Sequence, residues 1–480
     1  MNETEAFQDP GPGSGRKRIG ILCLSAIPDD PRVRRQGDLM TEAGWDVVAI
    51  GLPGHRSSEP KWTCLAIDTA PITPTVTGAD VPDTNDAPVA GESFSIPREI
   101  TQPHRNATAD SKTPRQLLTE RLAQRLDAYG APTWAKTFLL PIAVTLMPVV
   151  RWGYSAWRVL RVNLQPSYAA ASYWRLRDDF RSIYELGRRH KVDLWLANDW
   201  TTLPIAARLG AAQGIPYGYD THELAVDEYA QSLQWRVLNR ALIKGAEGGA
   251  IKGASFVTCV SDGIADRLQE VYELDKRPVV IRNTPHYQRC SPQPVGQIIR
   301  VLYHGIVAPG RGLEASIRSV ALWRPEFHLT IRGPAHSDYK AALEKIAHEM
   351  NVSDRVTFDP PVPMTELVAR AAEFDIGLFA LPDHSKQNVY VLPNKFFEYT
   401  MAGLALCVSD LPEMTRLLRA HNLGVLIEAM TPEAIASAVN RLDRDNLAHY
   451  KARAIEAAKV LNWQNEGVRF IELSDSATRV

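Results

Sequence analysis

A chain of 480 residues, 45% hydrophobic and 23% charged, carries enough apolar side chain for two or three domain cores. Its 54 lysines and arginines almost balance 55 aspartates and glutamates, and a net charge of −1 excludes a surface built to wrap nucleic acid, so any anion site must be local. The five cysteines (Cys23, Cys64, Cys259, Cys290, Cys407) have no CxxC spacing and read as reduced residues of a cytoplasmic protein, not as a disulfide frame or a zinc site.

Residues 1–16, "MNETEAFQDPGPGSGR", are acidic, then rich in Gly and Pro, and read as a flexible tail without the apolar centre of a signal peptide. "RIGILCLS" is a buried parallel strand by length and composition. "DDPRVRRQGDLMTEAG" is a helix opened by an aspartate before proline and closed by Gly44, and "WDVVAIG" is the next strand. Regularity then lapses into an insert of about residues 71–162, which begins with the Pro-, Thr- and Asp-rich stretch Pro71–Pro114. Inside it "TFLLPIAVTLMPVV" is uncharged but too short to span a bilayer, and Arg151, Trp152, Tyr154, Trp157, Arg158 and Arg161 follow it. Residues 131–163 therefore read either as a segment lying in a lipid interface or as a helix covered by the rest of the fold.

A long amphipathic helix is expected over about Ser167–His190, followed by strands "VDLWLAND", "IPYGYDTHE", "SFVTCVSD" and "PVVIRN". The proline-rich "TPHYQRCSPQPVGQ" is a linker between a first domain over 17–293 and a second over 297–449. Six strands with intervening helices follow: "RVLYHGIV", "FHLTIRG", "RVTFD", "FDIGLFAL", "LALCVSD" and "LGVLIEA". Residues 450–480 read as a C-terminal helix anchored by Trp463 and packing back toward the first domain. Such alternation predicts an α/β fold of two doubly wound, Rossmann-like domains facing across a cleft, with a ligand at the C-terminal ends of their strands.

Those strand ends carry cations. "YHGIVAPGRGLEASI" has Gly305, Gly310 and Gly312 in its loop, where backbone can approach an anion, and Arg311 to grip it. The next strand ends in Arg332 and Gly333. In "LPNKFFEYTMAG", Lys395 and Glu398 are i,i+3 neighbours near a helix N-terminus. A lysine there can meet a diphosphate, and a glutamate one turn deeper can accept from a ribose diol. The alternative for the pair is a surface ion bridge. Convergence of Arg311, Arg332 and Lys395 on one sheet favours a nucleoside diphosphate receptor. "SAIPDDPRVRR" offers Asp30, Arg32 and Arg35 for an acceptor, or simply a charged helix start. The only D-x-D triplet, Asp443–Asp445, reads as a solvated face, and no metal is expected.

Outside the tail and the insert, these motifs resemble the GT-B glycosyltransferases, specifically the retaining family 4 (glycosyl transferases group 1). The resemblance rests on "DPRVRRQGDLMTEAG", "DTHE", "VSDGIADRL", "IRN", "HGIVAPGRGLE" and "LPNKFFEYTMAGLALCVSDLPE". It implies that Glu398 binds the donor ribose and that Arg311 and Lys395 meet the diphosphate. It implies that His222 faces the donor sugar, with Gly305, Arg332, Gly333, Val391, Leu392 and Asn394 also lining the donor site. The sequence departs from the family pattern at two places: Tyr390 stands where a first glutamate is expected, and Ile306 where an arginine follows the strand-end glycine.

The implied activity is hexosyl transfer from a nucleotide diphosphate sugar to an acceptor hydroxyl, with retention and without a cofactor or metal. Catalysis would rest on His222, Arg311 and Lys395, with a glycan or lipid-linked acceptor in polysaccharide or cell-envelope assembly at the inner face of the cytoplasmic membrane. A nucleotide-sugar epimerase on the same fold and a non-catalytic scaffold are the alternatives.

Overall fold

The computed structural model describes residues 15–54, 57–67, 153, 156–291 and 293–479. The chain divides into two compact units, Met1–Thr73 with Asp178–Ser232 and Glu247–Val480, and Pro74–Arg177 with Leu233–Ala246. Most of the predicted insert, including residues 131–152 of the candidate interfacial segment, lies outside the described residues, as does the tail over 1–14.

The first unit contains two parallel sheets. Strands β1 (Arg18–Leu22), β2 (Asp46–Gly51), β3 (Thr63–Ala66), β4 (Leu194–Asn198), β5 (Tyr217–Thr221), β6 (Phe256–Cys259) and β7 (Val279–Val280) form the first, in the order β3-β2-β1-β4-β5-β6-β7. Strands β8 (Ile299–His304), β9 (Phe327–Arg332), β10 (Val356–Asp359), β11 (Ile376–Phe379), β12 (Ala405–Ser409) and β13 (Gly424–Ile427) form the second, ordered β10-β9-β8-β11-β12-β13. In each sheet the winding reverses beside the first strand, between β1 and β4 and between β8 and β11, which opens a crevice at the carboxyl ends of those strands. Strands β1, β4, β11 and β12 are buried throughout because helices cover both faces. The fold is the expected pair of Rossmann-like lobes. Strand β3 was not anticipated: it is a half-exposed edge strand only four residues long.

Two helical expectations need correction. The stretch after Gln165 is not one helix but two, Pro166–Ser172 and Asp178–Gly187, separated by a 3-10 turn at Tyr173–Arg175. The acidic pair Asp178 and Asp179 favours a new N-terminus there, where the helix dipole is positive. The C-terminus is likewise two helices, Arg444–Ala458 and Trp463–Ala477, with Asn462 capping the second. The first of these belongs to the core of the second sheet through Ala454, Ala457 and Ala458. The second crosses back and buries Trp463 and Phe470 in the core of the first sheet. Asp443 accepts from the Asn446 amide and closes a capping box, so the D-x-D triplet starts a helix.

Trp463 is the joint of this return. Its backbone N–H donates to Pro285 O at 2.9 Å, its indole N–H to Arg35 O at 3.2 Å, and the Arg32 guanidinium stands 5.1 Å over its ring. Three residues on, Glu466 accepts from both the backbone and the guanidinium of Arg282, at 3.0 and 2.7 Å. The C-terminal helix thus clamps the strand β7 exit, residues 281–285, against the first lobe.

In the second unit, residues 156–164 are helical, and Arg161 stacks on the rings of Trp157 and Tyr168 at 5.1 and 4.3 Å. Gly245 permits close approach there, since a Cβ at that position would lie 2.4 Å from the Ala169 methyl.

Trp463→Ala removes a filled core position and both of Arg32's and Arg35's ring contacts. It is expected to cost about 3–5 kcal/mol, read as a lower urea midpoint at unchanged slope.

Candidate functional site

The C-terminal edge of the second sheet is shaped by glycines. Gly305 has φ +125° and Gly333 φ +149°, and a Cβ on Gly333 would lie 1.9 Å from Gly305 O. Only bare backbone can cross there. A Cβ on Gly305 would in turn stand 3.0 Å from Lys395 Nζ. Gly310 and Gly312, both with positive φ, turn the following loop and hold out Arg311. Lys395 lies in the first turn of the helix Asn394–Met401, whose N-cap Pro393 makes no side-chain cap, leaving its first N–H groups for a ligand. Its ammonium sits 4.6 Å from the centre of the Tyr303 ring and 4.3 Å from that of Phe379. Burial and the charge of Arg311 push it down to about 7, with Glu398 pulling the other way. Among the described residues neither Arg311 nor Lys395 has an ion pair within 4.0 Å, so two cations share one edge without a protein anion on them.

Glu398 lies one turn deeper, its Oε2 2.8 Å from His304 Nε2. Burial would raise its pKa, but the His304 contact and the charges of Arg35 and Lys395 hold it below its ordinary value. Arg35, a first-lobe residue, thus contributes to the field on this carboxylate, although neither Glu398 nor Lys395 lines the cavity between the lobes. The structure thus brings Gly305, Arg311, Gly333, Lys395 and Glu398 together.

Arg332 is a correction. Although it ends β9, it is buried, pairs with Asp359 Oδ2 at 3.0 Å, donates to Arg370 O at 3.2 Å, and lies 5.0 Å over Phe374. Asp359 stands beside it in the parallel register of β9 and β10, so the guanidinium braces two strands and is spent before it can reach a phosphate.

The first lobe presents a network centred on buried Asp220. It accepts from Arg32 Nε and Nη2, both at 2.9 Å, from Gln36 at 2.6 Å, from Thr258 at 2.5 Å, and contacts His222 Nε2 at 3.1 Å. Burial would raise Asp220, but Arg32 and His222 hold it far below the usual carboxylate range. The other His222 nitrogen lies 3.6 Å from Asp199 Oδ2, and the His222 amide donates to Asp199 Oδ1 at 3.1 Å. Burial pulls His222 down; Asp199 and Asp220 outweigh it and raise it to about 9. Glu223 beside it is pushed up to about 7 by burial and Asp199, against His222 and Arg311.

The three residues expected to hold an acceptor are largely engaged. Asp30 caps its helix, accepting from the Arg32 and Val33 amides at 3.0 and 3.1 Å, and takes the Ser25 hydroxyl at 2.7 Å. Arg32 is wholly buried on Asp220 and Arg282 O, so it positions His222's partner instead of waiting for a ligand. Arg35 donates to Thr284 O at 2.7 Å and to Asn283 Oδ1.

A cavity of about 440 Å³ opens between these lobes, lined by Asp30, Arg32, His222, Glu223 and Asn283 on one wall and by Arg311, Gln387, Val391, Leu392 and Asn394 on the other. Tyr390 does not line it. Its ring covers Gly263, where a Cβ would lie 2.3 Å away, and its carbonyl accepts the Ser261 hydroxyl at 2.7 Å. Glu413 taking the Gly263 amide at 2.8 Å, and Gln387 taking the Leu224 amide at 2.6 Å, complete the closure of the lobes. Ile306 is exposed, and only its carbonyl is used, by Tyr303 at 2.9 Å.

Sequence reasoning missed His304, Asp199, Asp220 and Gln387. His304 and Asp199 each interrupt or follow an apolar strand at its carboxyl end, the same signal that singled out Arg332.

Two family models match in succession, Glycosyltransferase Family 4 over residues 147–284 and Glycosyl transferases group 1 over residues 294–460. The chain belongs to the group 1 glycosyltransferases. Among solved structures it is similar to a sucrose-phosphate synthase from Thermosynechococcus elongatus, with TM-score 0.60 at 14% identity, covering 96% of this chain and 99% of that one. It is also similar to Anabaena HepE, solved with UDP and glucose, with TM-score 0.58 at 13% identity over 96% of this chain and 100% of that one. These likenesses show the shared two-lobed GT-B fold. Among curated glycosyltransferases it resembles the D-inositol 3-phosphate glycosyltransferase of Nocardia farcinica, 29% identical over 31% of this chain and 33% of that protein. The counterpart in Acidothermus cellulolyticus is 28% identical over 35% and 39%. The chain thus matches well under half the length of these relatives.

Lys395 carries charge below about 7 and loses it above. An anion beside it favours the ammonium, so binding of inorganic pyrophosphate at about pH 8 is expected to take up protons. Calorimetry in two buffers of different ionisation enthalpy should give different heats, and Lys395→Met should make them equal.

Proposed function

We propose that this glycosyltransferase moves a hexose from a nucleoside diphosphate sugar to an acceptor hydroxyl, with retention at the anomeric carbon. The observation that carries the reading is the convergence of Arg311, Lys395 and Glu398 on one strand-end cluster, with the two cations lacking protein anions. Glu398 holds the ribose diol, and the backbone of Val391, Leu392 and Asn394 runs beside the phosphates and sugar. Chemistry at a diphosphate leaving group demands stabilisation of negative charge as the glycosidic bond breaks. Arg311, Lys395 and the N-terminus of the Asn394–Met401 helix meet that charge from one wall, and His222 adds a positive charge from the other. These groups supply the charge stabilisation without a metal ion or a cofactor. Anabaena HepE, alike in fold, was solved with UDP-glucose, which supports a sugar nucleotide donor. An epimerase is the less favoured reading, since the relatives are named as transferases.

A thermal-shift screen of the full chain against UDP-, GDP- and ADP-sugars tests the donor. One base class should raise the melting temperature, and Arg311→Ala should weaken that donor roughly 10- to 100-fold, the worth of a charge-assisted contact. Binding of none of them, nor of UDP or GDP in calorimetry, would leave a scaffold.

The acceptor is a glycan or lipid-linked glycan met at a membrane surface, in polysaccharide or cell-envelope assembly on the cytoplasmic side. No helix among the described residues is long and apolar enough to cross a membrane. In the second unit Trp157, Leu160 and Leu164, on one helical face, are 47%, 58% and 71% exposed, and Leu233 and Val237 are 67% and 44% exposed. Asn163 ties the two segments by donating to Val237 O at 3.0 Å. Exposed Arg236 and Lys244 give the patch a charge that suits anionic headgroups. The full chain should sediment with vesicles containing phosphatidylglycerol and far less with phosphatidylcholine alone. Leu160→Asp with Leu164→Asp should release it; a protein that stays in the supernatant with both vesicles would sink the membrane role.

A further inference from the structure

We infer that Asp199 is a positioning residue that, together with Asp220, holds His222 as an imidazolium, hydrogen-bonded to Asp220 through Nε2 and ion-paired with Asp199 through Nδ1, so that His222 serves the site as a fixed cation and not as a proton acceptor. This deepens, and rests on, the reading of the cavity as a transferase site.

The geometry requires it. His222 Nε2 lies 3.1 Å from Asp220 Oδ2 and Nδ1 lies 3.6 Å from Asp199 Oδ2, so both ring nitrogens face carboxylate oxygens. A neutral imidazole has one N–H and one lone pair, and either tautomer would turn that lone pair onto a carboxylate. Only the doubly protonated ring suits both neighbours. The two acids come from the ends of adjacent strands, Asp220 in β5 and Asp199 directly after β4, and Asp199 is held at φ +62°, a left-handed backbone an aspartate tolerates. Its amide donates to Asp220 O at 2.9 Å and its Oδ1 takes the His222 amide, so backbone and side chain of the loop are set together.

The other charges around the ring do not undo this. Arg32 opposes the cation, but both arms of its fork are already on Asp220. Glu223 and Asp30 add negative field, Glu223 beside the ring and Asp30 against Asp199. The direction agrees with the proton affinity of His222, which stands well above that of a free histidine. With Nε2 bonded to Asp220 and Nδ1 turned toward Asp199 at 3.6 Å, the ring offers the cavity chiefly its charge. Groups drawn to that wall are therefore electron-rich oxygens of the sugar, the leaving phosphate or an anionic acceptor.

Selective ¹³Cε1 labelling of the 12 histidines in the full chain, with His222→Gln to assign the signal, reads the charge without any turnover. His222 should titrate with a midpoint above pH 8, and Asp199→Asn, whose amide oxygen can still accept from the His222 amide, should lower it by about one unit or more. In turnover, the alkaline limb of kcat should move toward acid by the same interval in Asp199→Asn, while KM for the donor changes little and Asp199→Glu restores the limb. A wild-type midpoint near 6.5, or one unmoved in Asp199→Asn, would overturn the inference even if donors bind. A high midpoint in a protein that binds no donor would leave the clamp standing and defeat the transferase reading instead.

Discussion

The buried pairing of Arg32 with Asp220 is the contact on which the first lobe's half of the site depends. Taking both charges out of water is costly and is offset by further hydrogen bonds: Asp220 accepts from Gln36 and Thr258 and contacts His222 besides the guanidinium, and Arg32 donates to the Arg282 carbonyl. Removing one partner would strand the other without water. The pair also ties distant stretches of chain together, since Arg32 lies on Trp463 and Arg282 is gripped by Glu466. A cavity wall built from the first strand–helix loop is thus held in shape by the last helix of the protein.

The two lobes treat their cations in opposite ways. In the first, Arg32, Arg35 and His222 are engaged by protein acceptors, although Arg35 Nε is buried without one. In the second, burial first and the charge of Arg311 next depress Lys395, with the charge of Glu398 opposing and the aromatic faces of Tyr303 and Phe379 beside the ammonium. A desolvated ammonium under the influence of a like charge is unfavourable without an anion. The second lobe therefore carries cations without protein anions on them, while the cations of the first lobe are already engaged.

The strands were legible because a parallel sheet buried on both faces writes itself as an unbroken apolar run; edge strand β3, half exposed, writes nothing. Lys395 and Glu398 were legible because their spacing is local to one helix. Arg332 and Arg32 were not, although both stood at the right places in the chain. Whether a strand-end arginine enters a cleft or braces a neighbour depends on Asp359 across the sheet or on Asp220, 188 residues away, and no local pattern encodes that register. The charge state of His222 was hidden for the same reason, since one of its two acids sits on another strand.

Tyr390 shows how closure and donor contact are coupled. The Ser261 hydroxyl that donates to the Tyr390 carbonyl also caps the helix Asp262–Tyr272 of the first lobe, accepting from the Ile264 amide. Val260, just before that cap, and Val391, just after Tyr390, both line the cavity. The backbone at this edge of the cavity is therefore fixed by a hydrogen bond that joins the two lobes. A carboxylate at position 390 would have to turn into the cavity and forgo the packing on Gly263, where the aromatic ring leaves no room even for a Cβ. In this chain the position tightens the closed arrangement, and the cavity wall beside it presents the neutral amides of Asn394 and Gln387, the latter already accepting from the Leu224 amide.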